Sequence, residues 1–423
     1  MIDEPTTTPS GTPPGMAAAA AALAQPAKPE ADVFAKVDDP RLDLFRLAES
    51  IDLMPFYREL DGEIGPTVRF DGREMVMLGS NNYLGLTTDA RVRAAAIDAI
   101  GKFGTGVTGS RLLNGTLSLH RELEEFLADW VGTEAALVFT TGYAANLGLV
   151  SSIVGPHDAV FLDSAGHASL VDGARFSEGT LRAFRHNRPN SLRRGLRSWR
   201  EQAGSGGILV AVDGIYSMEG DWAPLEEIMP ICRDFGARLL VDEAHSLGVV
   251  GPHGAGTAAA LGLTPDLIMG TFSKSLASCG GFIAAPRAVI DFLKISCRPL
   301  HFTAAGVPAA LAAALEAARI ARDEDWRREA VMARAEQLRR GLAERGYEVG
   351  ESTVSAIVPV HIGNDWDAGH LWKALLAHGV YTNCAIPPAV PRAVLRTSVM
   401  ATHSEADIDR ALDGFEAARS TSA

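Results

Sequence analysis

Between about residues 137 and 285 the sequence alternates short apolar runs with stretches of helical periodicity, a pattern that demands βαβ units built on a mostly parallel sheet. Residues 136–139, 159–162, 207–213, 238–241, 267–269 and 281–284 read as buried strands, with amphipathic segments such as 225–235 between them. Ligands of such sheets sit beyond the carboxyl ends of the strands. Three polar segments stand there: 163–169, 213–220 and 242–246.

After Thr303 the pattern changes. Residues 307–322 form an alanine-rich helical stretch and a charged helix runs on to Glu344; strand signals at 356–361 and 394–399, with helices at 368–378 and 405–418, then describe a small α+β lobe. A chain of 423 residues exceeds the roughly 250–300 at which one core stops growing, so two lobes are expected. The expected division is a disordered tail over 1–42, an N-terminal arm over 43–75, a large domain over 76–305 and a small C-terminal domain over 306–423. The apolar run 16–23 in the tail is too short to span a bilayer, and Asp3 and Glu4 precede it where a secretory signal has basic residues.

With 39 basic against 52 acidic residues the net charge is −13, and no basic run is long enough to track a phosphate backbone, so nucleic acid is not an expected partner. Cys232, Cys279, Cys297 and Cys384 are scattered without a C-x-x-C pair and are expected as free thiols in a reducing compartment. The sequence reads as lacking both a transmembrane run and a basic amphipathic helix. A cytoplasmic protein with at most peripheral membrane contact is expected.

The chemistry-bearing residues fall just after the predicted strands. In Gly270-Thr-Phe-Ser-Lys-Ser275 a lysine stands among small hydroxyl residues; burial would lower its pKa and make the amine nucleophilic toward an aldehyde, whereas a polar surface loop is the alternative. Thr271 and Ser273 are good phosphate ligands beside a Schiff-base lysine. Asp242 closes an apolar strand, where an unpaired carboxylate would cost several kcal/mol, and a protonated pyridine nitrogen answers its need for a cation. His245 can hydrogen-bond a phenolic oxygen on the same ring. A metal is the rival reading of Asp242, Glu243 and His245, but no second cluster at ligand spacing follows, and no metal is expected. His167 either stacks on the pyridine or is a satisfied core histidine. Gly142 and Tyr143 open a predicted helix, where a glycine lets the backbone approach an anion and the helix N-terminus favours phosphate. In this order on successive strand ends, these residues point to pyridoxal 5′-phosphate with Lys274 as its Schiff-base lysine.

Four longer segments add to these signals: Gly104-Thr-Gly-Val-Thr-Gly-Ser-Arg-Leu-Leu-Asn-Gly115, Phe184-Arg-His-Asn187, Tyr216-Ser-Met-Glu-Gly-Asp221 and Cys297-Arg-Pro-Leu-His-Phe-Thr303. With them the chain, from about residue 43 to its end, resembles the α-oxoamine synthases, fold-type I pyridoxal-phosphate enzymes with an aspartate aminotransferase-like large domain. It is most similar to their bacterial branch that condenses L-serine with palmitoyl-CoA. The resemblance implies that Lys274 anchors the cofactor and removes the substrate α-proton, Asp242 pairs with the ring nitrogen, His167 stacks on the ring and His245 contacts the phenolic oxygen. Gly142, Tyr143, Thr271 and Ser273 would line the cofactor. It also implies a homodimer with shared sites, in which Thr303 reaches the neighbouring subunit's phosphate.

For the substrate carboxylate the resemblance implies Arg396, whose fork holds a carboxylate as lysine cannot. Asn82 is a second candidate, with a turn-forming role as the alternative. The expected reaction is a decarboxylating condensation giving 3-ketodihydrosphingosine. Other branches would use glycine or alanine, or a different acyl thioester, including one on a carrier protein. A non-catalytic partner subunit is the reading of another class, and Lys274 and Asp242 oppose it. One departure stands out: Ile386 occupies the stretch before Pro387 and Pro388 where these relatives carry an arginine, and Arg392 is the candidate to replace it. Ala277 stands where a glycine is common.

Overall fold

The computed structural model describes residues 33–203, 206–350, 355–387 and 389–421. Residues up to Arg58 form a separate unit, with a 3₁₀ helix at Val33–Asp38 and an α-helix at Pro40–Ser50 capped by Asp39, which accepts from the Arg41 amide at 2.9 Å. The tail expected over 1–42 therefore turns helical from Val33, and its earlier part lies outside the described residues.

The rest begins with a hairpin, β1 (Thr67–Phe70) and β2 (Arg73–Met77). A seven-stranded sheet follows, formed by β3 (Ala135–Phe139), β4 (Ala159–Asp163), β5 (Thr180–Phe184), β6 (Ile208–Asp213), β7 (Arg238–Asp242), β8 (Leu267–Thr271) and β9 (Gly281–Ala285) in the order β3-β9-β8-β7-β6-β4-β5. Only β9 runs against its neighbours. The mostly parallel sheet expected from the sequence is present. Strands β3, β4, β6, β8 and β9 are buried throughout, which is why they read as unbroken apolar runs. The edge strand β5 buries only Phe184 and carries no such run.

The small lobe holds the antiparallel strands β10 (Glu348–Val349), β11 (Ile357–His361), β13 (Asn383–Ala385) and β14 (Val394–Ser398) in the order β10-β11-β14-β13, while β12 (Val380–Tyr381) pairs with β2. One core joins Met75, Met77 and Tyr83 to Trp372, Leu395, Ile408 and Phe415. The hairpin thus packs with the small lobe. Conversely, the helix Pro308–Asp323 shares a core with Leu84, Val92, Leu123 and Phe282 of the large lobe. Because this alanine-lined helix fits closely against Ala90–Phe103 and Ser118–Val131, we propose that the small lobe starts after it rather than at 306, and that the hairpin before 76 belongs with that lobe.

A correction concerns charge. The helix Pro189–Ala203 is basic and amphipathic, with Arg193, Arg194, Arg197 and Arg200, although none was expected. Its apolar side chains Leu192, Leu196 and Trp199 are buried in the core, which leaves no apolar face to enter a membrane. Among the described residues no helix is long and apolar enough to cross a membrane.

Candidate active site

Four adjacent parallel strands end in polar side chains: Asp163 on β4, Asp213 on β6, Asp242 on β7 and Thr271 on β8. The register sets Asp213 directly beside Asp242. Burial, then the charge of Asp242, pushes the Asp213 carboxyl well above the usual carboxylate range, and it accepts from the His167 amide at 3.3 Å. Asp242 is buried, accepts from Asn146 Nδ2 at 2.7 Å and the Ala244 amide at 3.0 Å, and has no cationic ion-pair partner among the described residues. Asn146 also donates to Ser169 Oγ at 2.9 Å, and its own buried Oδ1 has no partner. A protonated ring nitrogen fits beside this carboxylate.

Lys274 follows β8. Burial and the charge of Arg396 lower its pKa to about 8 against the opposing pull of Asp242 and Asp213, so at pH 7 about a tenth of the amine is unprotonated, far more than for an ordinary lysine. Thr271 Oγ1 lies 2.9 Å from Ser273 Oγ and donates to the Gly280 carbonyl at 3.0 Å. Facing them is the start of the helix Gly142–Ile153, where Thr141 Oγ1 accepts from the Ala144 amide at 3.0 Å. A Cβ at Gly142 would stand 2.9 Å from Thr271 Oγ1, so the glycine lets the helix start close against β8, where its first amides can meet a phosphate. The His167 ring is exposed and held through Nδ1, 2.7 Å from Ser169 Oγ. The set fits a phosphorylated pyridine aldehyde.

His245 is buried, and burial with the charges of Lys274 and Arg396 keeps its ring neutral. Its Nδ1 lies 2.7 Å from the Tyr83 hydroxyl, into which Arg396 Nη2 donates at 3.1 Å. Arg396 comes from the central strand β14, is buried, donates through Nε to the Ser217 carbonyl at 2.5 Å, and has no carboxylate partner among the described residues. An unpaired buried guanidinium is a ready anion site.

Several expected residues lie differently. The Asn82 amide is fully engaged: Oδ1 accepts from the Leu86 and Thr87 amides at 3.0 and 3.4 Å, and Nδ2 donates to Thr87 Oγ1 at 2.6 Å and the Ile64 carbonyl at 3.3 Å. These bonds match the turn-forming alternative for Asn82. Arg392 is paired with Glu348 at 2.9 and 2.5 Å, and Ile386 packs on the small-lobe core, so Arg392 does not take over an arginine's place there. Glu243 caps the helix Thr257–Ala260, accepting from the Thr257 and Ala258 amides at 2.9 Å, and is turned to structure rather than to a metal. The Tyr143 side chain reaches Asp172 at 2.5 Å, Thr303 is half-buried after the helix Arg298–His301, and Ala277 sits at φ 52°, which explains why glycine suits that position. Tyr83 and Asn146 were missed; Tyr83 ends the segment Gly79-Ser-Asn-Asn-Tyr83, where attention fell on Asn82.

A family model for aminotransferase class I and II matches residues 73–415. The chain belongs to that family. Within it the likeness is to the α-oxoamine synthases: the serine palmitoyltransferase of Sphingobacterium spiritivorum is 42% identical over 88% of this chain and 94% of its own, and that of Caulobacter vibrioides is 43% identical over 88% and 93%. A solved serine palmitoyltransferase with a pyridoxal-phosphate internal aldimine superposes with a TM-score of 0.89 at 38% identity, covering 92% of this chain and 99% of that one. The fold of this family member is therefore fold-type I, and its site geometry can be read as that of a synthase.

Proposed function

We propose that the chain binds pyridoxal 5′-phosphate and condenses L-serine with palmitoyl-CoA, releasing coenzyme A and carbon dioxide and forming 3-ketodihydrosphingosine. The observation that carries this reading is the buried, carboxylate-free Arg396, joined through Tyr83 to His245 and near enough to Lys274 to depress its pKa. The serine palmitoyltransferases it resembles along most of their length support the substrate pair.

When bound, the cofactor supplies an electron sink for the carbanion at the substrate α-carbon. Asp242, held by Asn146, keeps the ring nitrogen protonated, and His167 covers the ring. With Arg396 donating into its oxygen, Tyr83 would donate its O–H hydrogen bond to His245 Nδ1, the tautomer in which Nε2–H is left to meet the phenolic oxygen. Gly142, Tyr143, Thr271 and Ser273 hold the phosphate. Arg396 fixes the serine carboxylate so that the bond to be broken stands perpendicular to the ring. Lys274 removes the α-proton before the new carbon–carbon bond forms at the thioester carbonyl, and returns a proton after carbon dioxide leaves.

The chain would act as a homodimer with shared sites, Thr303 serving the neighbour. Exposed Leu113, Phe176, Ile295 and Phe302 offer apolar surface for such an interface. The four free cysteines suit a reducing cytoplasm. A second reading, glycine or alanine in place of serine, draws on Ile386, which brings no charge to the carboxylate end.

The test is a titration of the cofactor-loaded protein with L-serine, glycine and L-alanine, followed by palmitoyl-CoA, read by visible absorption and by mass spectrometry of the product. Saturable binding of L-serine and formation of the C18 amino ketone are expected. A response to glycine or alanine alone would transfer the chain to another branch, and no cofactor absorption would end the enzyme reading.

A further inference from the structure

The segments Phe184-Arg-His-Asn187 and Tyr216-Ser-Met-Glu-Gly-Asp221 have no direct part in the site, yet one side chain joins them. His186, just beyond the edge strand β5, lies between two carboxylates: its Nδ1 is 2.9 Å from Asp163 Oδ1 and its Nε2 is 3.0 Å from Asp221 Oδ2. An ionised carboxylate only accepts, so a ring with such an acceptor at each nitrogen carries both protons and is a cation. Burial alone would lower its pKa, but the hydrogen bonds and charges of Asp163 and Asp221 raise it to about 10. The Tyr216 ring stands edge-on to it with centroids 4.4 Å apart. Asn187, at φ 48°, completes the clamp by donating its amide to Asp163 Oδ2 at 2.9 Å and Nδ2 to Asp221 Oδ2 at 2.7 Å.

Each carboxylate leads to a different half of the site. Asp163 shapes the turn that delivers His167: Oδ1 accepts from the Ala165 amide and its carbonyl from the Gly166 amide, both at 2.9 Å. Asp221 closes the loop that carries Ser217, since its carbonyl accepts from the Tyr216 amide at 3.0 Å and the Gly220 amide returns to the Tyr216 carbonyl at 2.9 Å. The Ser217 carbonyl in turn accepts from Arg396 Nε. A guanidinium recognises a carboxylate as a flat fork, so the direction in which that fork is held decides how well it binds.

We propose that His186 is a positioning residue for amino-acid binding: through Asp221 it fixes the Ser217 carbonyl that aims Arg396, and through Asp163 it holds the turn bearing His167. This rests on the reading of Arg396 as the ligand of the substrate carboxylate. The two arms are separable. Asp163 is fully buried and serves the cofactor side, whereas the Asp221 side chain is 35% exposed and serves the substrate side, so it can be removed with less damage to the fold.

The experiment uses the cofactor-loaded, full-length protein and measures the Kd for L-serine by visible absorption, the KM for palmitoyl-CoA and the thermal midpoint, with Arg396→Lys as a reference. Asp221→Ala is expected to raise the L-serine Kd about tenfold while the palmitoyl-CoA KM and the cofactor spectrum stay as in the parent. His186→Gln is expected to do the same and also to weaken cofactor binding. The double variant should bind L-serine no worse than His186→Gln alone, because both changes remove one support. If His186→Gln does not fold, Asp221→Ala decides alone. A lowered thermal midpoint with an L-serine Kd within about twofold of the parent in Asp221→Ala, while Arg396→Lys binds poorly, would overturn the inference and leave the Arg396 reading intact. L-Serine affinity unchanged in Arg396→Lys would remove that reading and the inference with it.

Discussion

The hydroxyl of Tyr83 lies 2.7 Å from Nδ1 of His245, and the two residues, 162 positions apart in the chain, meet where neither is open to solvent. The same oxygen receives Arg396 Nη2 at 3.1 Å. One phenol therefore links the histidine proposed to face the cofactor with the arginine proposed to face the substrate.

Removing that oxygen with Tyr83→Phe leaves two buried polar groups without a partner, at a cost of about 1–3 kcal/mol each before relaxation. We expect a lower thermal midpoint and an L-serine Kd raised about tenfold, with pyridoxal-phosphate affinity changed far less. Absorption titrations of both ligands check this, and equal losses for the two would contradict the linkage.

Lys274 sets a pH signature in the cofactor-free protein. The folded chain gives up this proton at about 8, and an unfolded chain holds it to the ordinary lysine value of 10.5. Between those values the unfolded state binds more protons, so the lysine's contribution makes stability rise with pH. Lys274→Met should abolish that rise, and below pH 8 it should stabilise the cofactor-free protein by roughly 1–3 kcal/mol while abolishing activity. Urea unfolding of both proteins at pH 7 and 9.5 measures the difference; parallel pH dependences would refute it.

What could be read from the sequence divides along the same physical line. Central strands such as β6 and β8 are buried on every residue, and burial writes itself into the sequence as an apolar run, so Asp242 and Lys274 could be placed at strand ends before any coordinates. The edge strand β5 buries only Phe184 and left no run, and His186 beyond it was noticed only as part of a motif. Tyr83 and Asn146 were missed because their partners, His245 and Asp242, are distant in the chain and meet only through the fold. Asn82 was open to both readings because a turn asparagine and a ligand asparagine look alike until their hydrogen bonds are counted.

Gly142 offers a test of the phosphate cradle. A methyl there would meet Thr271 Oγ1 at 2.9 Å and Thr271 Cβ at 3.0 Å, and the buried strand β8 cannot move aside. Gly142→Ala should lower pyridoxal-phosphate affinity by about tenfold or more. Gly101→Ala is the control: it lies in the exposed part of the helix Ala90–Phe103 with nothing within 4 Å of a new methyl, and should raise stability by about 0.5–1 kcal/mol without touching the cofactor. Fluorescence titration of the cofactor and thermal melts separate the two effects.

The carboxylate end gives the sharpest contrast, because two arginines could have supplied its charge and only one is placed to do so. Arg392 is tied to Glu348 at an exposed edge, so Arg392→Ala should leave the L-serine Kd within about twofold and cost no more than about 1 kcal/mol. Arg396→Lys keeps a charge but loses the fork, and should raise the Kd by about 10–100-fold. Ile386 is half-buried against the small-lobe core, and Ile386→Arg exchanges that apolar contact, at about 1–2 kcal/mol of stability, for a long stem that can carry a cation outward. If the site lacks only charge, this variant should bind L-serine about 3–10-fold more tightly than the parent while Arg396→Lys remains impaired. An Ile386→Arg protein that folds and binds L-serine no better would mean that Arg396 already satisfies the carboxylate, and that the apolar residue costs the enzyme nothing in substrate binding.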